Sequence, residues 1–308
     1  MVDHTNTQPA FAPDMPERDY RAYPLPSWSS VKGLLDTCPA EWRHQQDAPR
    51  TESAAMIWGT LLHAAVLEPH RLDEMVCDPV TVERDGTGKA WTHTAADGET
   101  WRTQREAQAA AAEAMPTDRY AVTAELLADL RLRAEQAAAL LPDGDSGSYE
   151  VAMRGSIEGQ PCKGKADVIA GGSVLDLKTT GDVTPDAIQR AATQRHWFGQ
   201  LWTYGELARQ SGHDVTDYGA IVVQAPHLTH AGGVLGLSDR YQPRAHARIV
   251  PIGDEGVAHG RAEAIRAWRT YLDCTLREHW PDWSETHPGA LAPSRWAVEA
   301  EPEAQEWT

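Results

Sequence analysis

A chain of 308 residues with 41% hydrophobic residues has ample material for a core, and a net charge of −17 excludes a generic nucleic-acid coat, whose affinity comes from neutralising phosphates. A local basic groove can still operate on such an acidic body, because the field depends on how the charge is distributed. No run approaches a membrane span, the first residues (MVDHTNTQPAFAP) lack the basic-then-apolar order of a signal peptide, and Cys38, Cys77, Cys162 and Cys274 form no CxxC pair; reduced thiols in a cytoplasmic protein are expected.

Residues 1–22 are polar and proline-bearing and read as a flexible arm. SWSSVKGLLDTCPAEWRHQ reads as a short helix capped by Ser29 or Ser30, with Val31, Leu34 and Leu35 at helical spacing before Pro39. Residues 53–69 form a strongly apolar helix ended by Pro69, and residues 78–102, with Gly86, Gly88 and Gly98, an irregular or hairpin region. An alanine-rich helical stretch, interrupted near Pro116, covers 103–141. Strands are expected at 149–158, 163–170 and 173–178, a helix over 185–210, strands at 218–224 and 246–252, and a helix over 254–279. This order implies an α+β fold with one central mixed β-sheet flanked by helices, in a single domain over 23–280. Residues 281–308, with six acids against one arginine, read as an acidic flexible tail. Twelve tryptophans against two phenylalanines is an unusual ratio that suggests no function by itself.

The chemistry concentrates in CKGKADVIAGGSVLDLKTT, residues 162–180. Period-2 alternation sends Val174, Asp176 and Lys178 to one face of a strand and Leu175 and Leu177 to the other. The same rule groups Lys165, Asp167 and Ile169 against Ala166 and Val168. Gly171-Gly172 is a hairpin signal, and pairing the two strands brings Asp167 next to Asp176. Carboxylates that close repel each other unless a cation or a proton intervenes, and hard oxygen ligands beside a phosphate favour Mg²⁺ or Mn²⁺ over zinc. An exposed Asp-x-Lys pair on a strand is also a common solvated surface feature, so the context decides.

That context lies in three places. His63 sits on the apolar 53–69 helix, where a histidine is either a satisfied core residue or a metal ligand. Glu150 opens the first strand and is placed to reach a metal cluster. Gln200 and Tyr204 share a helix face four residues apart, and His196 extends that polar line by one more turn.

The ordered set resembles the RecB-like branch of the PD-(D/E)xK nucleases, and within it the phage and prophage exonuclease VIII (RecE-type) family. The resemblance spans about residues 25–280. It rests on Gly59 and His63 for a helical G-x-x-x-H, on Glu150 ahead of Lys163, Gly164, Lys165 and Asp167, on Asp176 to Thr180, on Gln200 and Tyr204, and on the serine-rich segment before Cys38-Pro39. Lys165 departs from the arginine often found there, which keeps the charge and loses bidentate phosphate geometry.

The resemblance implies that Asp167, Asp176 and the Leu177 backbone carbonyl bind Mg²⁺, with Mn²⁺ able to substitute, that His63 is a further ligand, and that Glu150 contributes through water. Lys178 would orient or deprotonate the attacking water. Gln200, Tyr204, Lys165 and Thr179 would position the DNA strand. The implied activity is exonucleolytic hydrolysis of linear double-stranded DNA from its ends, 5′ to 3′, by a homo-oligomeric ring working beside a single-strand annealing protein in recombination. Two alternatives stand beside it. One is another RecB-like nuclease of repair or CRISPR adaptation, whose iron–sulfur form the scattered cysteines oppose; the other is a non-catalytic DNA-binding relict.

Overall fold

The computed structural model describes residue 15 and residues 17–48, 51–79, 82–83, 90–91, 119–142, 147–231, 233–241 and 246–286. Helix α1 covers Glu17–Ala22 and α2 covers Trp28–Val31, running on as a 3₁₀ turn over Lys32–Leu35. The cap of α2 is Ser27, earlier than expected, and Ser30 Oγ accepts the Ser27 backbone N–H at 2.8 Å. Helix α3 spans Pro39–Asp47. Helix α4 spans Ala54–Leu67, with Ser53 Oγ accepting from the Met56 N–H. Pro69 does not merely end α4. It opens α5 (Pro69–Met75) at the first helical position, where a missing N–H costs nothing.

Short strands follow: β1 (Val76–Cys77), β2 (Val82–Glu83), β3 (Ala90–Trp91) and β4 (Tyr120–Val122). β2 and β3 pair antiparallel, consistent with the hairpin expected over 78–102. Helix α6 covers Ala124–Ala138. The rest of the alanine-rich helical stretch expected before it, over 103–118, lies outside the described residues.

The central sheet is built from β5 (Gly147–Ile157), β6 (Gln160–Ala170) and β7 (Ser173–Thr180), then β8 (Asp217–Gln224) and β11 (Ala247–Pro251). Between β7 and β8 run α7 (Pro185–Gln194) and α8 (Trp197–Gln210). β9 (Leu228–Ala231) and β10 (Val234–Leu237) precede β11, and α9 (Asp254–Arg277) and α10 (Trp283–Thr286) close the described chain. The order is β11-β8-β7-β6-β5, with β7 and β8 parallel and the other pairs antiparallel. The β6–β7 turn is made by Gly171 (φ 54°) and Gly172 (φ 81°), the double positive φ of a tight two-residue hairpin.

One sheet face carries Val168, Ala170, Leu175, Leu177, Ile221 and Val223 against α4 and α6. The other carries Ile169, Val174 and Tyr218 beneath α2, α8 and α9. Each of these leucines contributes about 1.5–3 kcal/mol on burial. Trp28, Trp58 and Trp268 are fully buried, so tryptophan fills core volume that phenylalanine often takes.

Three further elements differ from expectation, besides the short helix α10 within the stretch expected as a tail. The helix expected over 185–210 breaks at His196, whose φ of 56° is left-handed and whose side chain is held from two sides. A second sheet, β1-β4-β10-β9, accompanies the central one; its strands of two to four residues are too short to show a period. The segment expected as an arm is folded from Glu17 onward, and the backbone carbonyls of Tyr20, Arg21 and Tyr23 accept from Lys163 Nζ on β6. Among the described residues no helix is long and apolar enough to cross a membrane.

Candidate active site

β7 keeps its partner β8 along all eight residues but pairs with β6 only from Ser173 to Leu175. Beyond the Val168–Leu175 pair the two strands part, and Asp167 and Asp176 stand at the fork. Asp167 Oδ2 accepts the Leu177 backbone N–H at 2.6 Å, so its carboxylate takes the place of a strand hydrogen bond. On the other side, Glu150 drops out of the β5–β6 ladder between the pairs Tyr149↔Val168 and Val151↔Ala166. Its φ of 52° is a left-handed conformation, and strain of this kind in a non-glycine strand residue clusters at functional sites. The kink has a consequence for facing. Ala166 belongs to the same core cluster as Ile169, and Val168 to the opposite one, so the strict alternation expected through Asp167 fails there. On β7 the alternation holds: Leu175 and Leu177 pack towards α4 while Asp176 and Lys178 face α8.

His63 on α4 reaches the fork from the far face. Its Nε2 lies 2.9 Å from the Leu177 carbonyl oxygen and its Nδ1 3.7 Å from Asp167 Oδ2. A carbonyl only accepts, so Nε2 donates to it, and Nδ1 is the nitrogen on the Asp167 side. Ligand atoms of His63, Glu150 and Asp167 all lie within 4.8 Å of one another. Glu150 thus stands in this compact group, and Asp176, beside it at the fork, is held from the α8 side. Asp176 Oδ2 is ion-paired with Lys178 Nζ, and Asp176 Oδ1 accepts from Gln200 Nε2 at 3.0 Å. Lys178 Nζ donates to Gln200 Oε1 at 2.6 Å and lies 5.8 Å from the Trp197 ring centre.

Burial and then the neighbouring Asp176 push the Asp167 carboxyl up to about 7, against the opposing pull of His63 and Lys178. A buried acid raised that far is a site short of positive charge. Two carboxylates, an imidazole nitrogen and a backbone carbonyl converging on it fit a hard divalent cation.

The four residues expected to position DNA are placed differently from one another. Gln200 locks Lys178 and Asp176 together, and its Nε2 also donates to the Tyr204 hydroxyl oxygen at 3.1 Å. Tyr204 is buried behind it, and desolvation raises its phenol well above the ordinary value, which keeps it protonated. Tyr204 is thus a buried partner of Gln200. Lys165 is ion-paired with Glu150. Thr179 is half-buried, and its backbone carbonyl accepts from Arg195 at 3.1 Å. His196, expected on the same polar line, points away to Glu263 and Asp36. Sequence reasoning missed Trp197 beside Lys178, and it missed Lys32, whose charge is felt at Lys178 and Asp176. Neither sits in a spacing pattern; Lys32 lies within the serine-rich segment already singled out.

A family model described as a PDDEXK-like domain of unknown function (DUF3799) matches residues 27–223. Among solved structures, a "putative exonuclease" from Eubacterium rectale superimposes with a TM-score of 0.52, over 93% of this chain and 98% of that one, at 14% sequence identity. At that identity the likeness speaks for the fold. No curated protein matches. The matched stretch begins at the cap of α2, ends with β8, and takes in the forked strands and the Gln200 helix between them, so the chain belongs to the PDDEXK-like family that this model describes.

Proposed function

We propose that the protein is a metal-dependent deoxyribonuclease of the RecE type that hydrolyses phosphodiester bonds of linear duplex DNA from its ends. The observation that carries this reading is the fork itself: the buried Asp167 beside Asp176, with Lys178 fixed between Asp176 and Gln200. Asp167, Asp176, His63 and the Leu177 carbonyl are the groups that would hold Mg²⁺ or Mn²⁺, with Glu150 beside them. When bound, the cation supplies charge neutralisation at the phosphate and lowers the pKa of water. Lys178 orients the attacking water and stabilises the charge that grows on the phosphate oxygens. Gln200 fixes the distance between Lys178 and Asp176, and Tyr204 holds the Gln200 amide in register. Lys165 and Thr179 flank the strand path. Degradation from 5′ to 3′, a ring-shaped homo-oligomer and an annealing partner complete the proposal, and their support is the family resemblance.

The test is digestion of end-labelled linear duplex, with circular duplex as control, in Mg²⁺ and in EDTA. Linear DNA should be lost only with metal, and Lys178→Ala and Asp176→Ala should each lower kcat by at least about 10²–10³-fold, the scale of losing one transition-state charge contact. Equal cutting of circles would replace the exonuclease by an endonuclease. Absence of cutting with every divalent metal would leave a DNA-binding relict. Phosphorothioate blocks at one type of end then report the polarity.

A further inference from the structure

We infer that Lys32 is a second phosphate-binding cation of this site, taking a phosphodiester of the bound strand next to the one at Lys178; the inference rests on the nuclease reading above. Lys32 opens the 3₁₀ turn that continues α2. Contacts on both sides of it grip the start of α8. Four residues earlier, Trp28 packs so closely on Gly199 that a Cβ there would lie 2.4 Å from the indole. Four residues later, Asp36 Oδ1 accepts from His196 Nε2 at 3.0 Å. The first turn of α8 between these anchors carries Trp197, which lies beside Lys178, and Gln200, which binds both Lys178 and Asp176. Lys32 lies between these anchors, close enough for the charges of Lys178, Asp36, Asp176 and Arg195 to act on its ammonium. Burial and then the charge of Lys178 hold the Lys32 ammonium below the usual lysine range, while Asp36 and Asp176 oppose them.

The other lysines near the fork are occupied. Lys178 is paired with Asp176, Lys165 with Glu150, and Lys163 donates to three backbone carbonyls. Lys32 is half-buried, and its ammonium makes no hydrogen bond or ion pair with any described residue. Holding an unpaired ammonium partly out of water, beside a second lysine, is unfavourable until an anion arrives. It tethers none of the described residues, which fits a binding role. A phosphodiester is the anion that a nuclease site presents, and lysine binds phosphate as a point charge. Arg195, which also acts on Lys32 electrostatically, extends the positive rim.

The test uses the full chain and a fluorescent duplex oligonucleotide in Ca²⁺, following anisotropy across a range of NaCl concentrations. Lys32→Gln should melt with the wild type, bind roughly tenfold more weakly, and lower the slope of log K against log salt by about 1, the signature of one lost phosphate contact. Lys32→Arg should restore most of the affinity. Wild-type affinity and slope in Lys32→Gln would overturn the inference, as would an equal loss in Lys32→Arg. A wild-type chain that neither binds nor cuts DNA would overturn the nuclease reading itself and this inference with it. That outcome is visible before any variant is compared.

Discussion

At the scale of single residues, His196 shows how a tertiary demand can override a local pattern. Its Nδ1 lies 2.6 Å from Glu263 Oε1 and its Nε2 3.0 Å from Asp36 Oδ1. Carboxylates only accept, so both ring nitrogens carry protons and the side chain is an imidazolium. The Glu263 hydrogen bond raises its pKa above the ordinary 6.5, outweighing the burial that lowers it. A histidine raised in the folded state contributes stability that is complete below about 6.5 and is lost as pH rises through the folded value. The urea midpoint is therefore expected to fall as pH rises from about 6 to 9, and Glu263→Gln should flatten that decline. An identical pH profile in the variant would remove Glu263 as the cause. The sequence shows His196 four residues before Gln200, which suggests a shared helix face. It cannot show a partner 67 positions away that pulls the residue into a left-handed cap.

Among elements, the two strands of the fork were legible to different degrees. β7 alternates cleanly, so the division of Asp176 and Lys178 from Leu175 and Leu177 followed from period 2 alone. β6 does not, because Glu150 kinks its neighbour β5 and the Asp167 carboxylate substitutes for a ladder bond. No periodicity encodes a kink imposed by the strand next door. Lys163 tells a similar story. In sequence it is one basic residue of a K-G-K motif. In the structure it is buried on β6 and donates to the carbonyls of Tyr20, Arg21 and Tyr23 at 2.6, 3.1 and 2.8 Å, fastening the C-terminal end of α1 to the sheet. Gly164 beside it leaves room for α8, since a Cβ there would lie 2.8 Å from Leu207 and 3.0 Å from Tyr204. Lys163→Met leaves three carbonyls without their donor and is expected to lower stability by about 3 kcal/mol, measured by urea denaturation. Limited proteolysis should then cut near residues 20–26 first. Wild-type stability in that variant would mean that the segment is held by its other contacts, such as the Lys163 N–H to the Pro26 carbonyl, which survives the substitution.

For the molecule as a whole, the acid cluster makes folding and cation binding two parts of one balance. With no cation present, Asp167 sits beside Asp176 with its carboxyl raised to about 7, so below that pH the folded chain holds a proton that the unfolded chain releases above about 4. The sign follows: the Asp167 contribution makes metal-free stability fall as pH rises from about 4 to 7, and a bound divalent cation reverses the loss. At a concentration of 100 times its Kd, such a cation adds about 2.7 kcal/mol, and in a chain of this size that is a rise in Tm of roughly 4 °C. Mn²⁺ or Mg²⁺ should give this shift near pH 8 and a smaller one near pH 6, where the proton competes for Asp167. EDTA should abolish it. Asp167→Asn can still accept the Leu177 N–H but adds no charge beside Asp176. It is expected to melt above the wild type in EDTA at pH 8 and to gain little from either metal. A variant that instead melts lower in EDTA would show that the Asp167 carboxylate stabilises the fork on its own, without a cation.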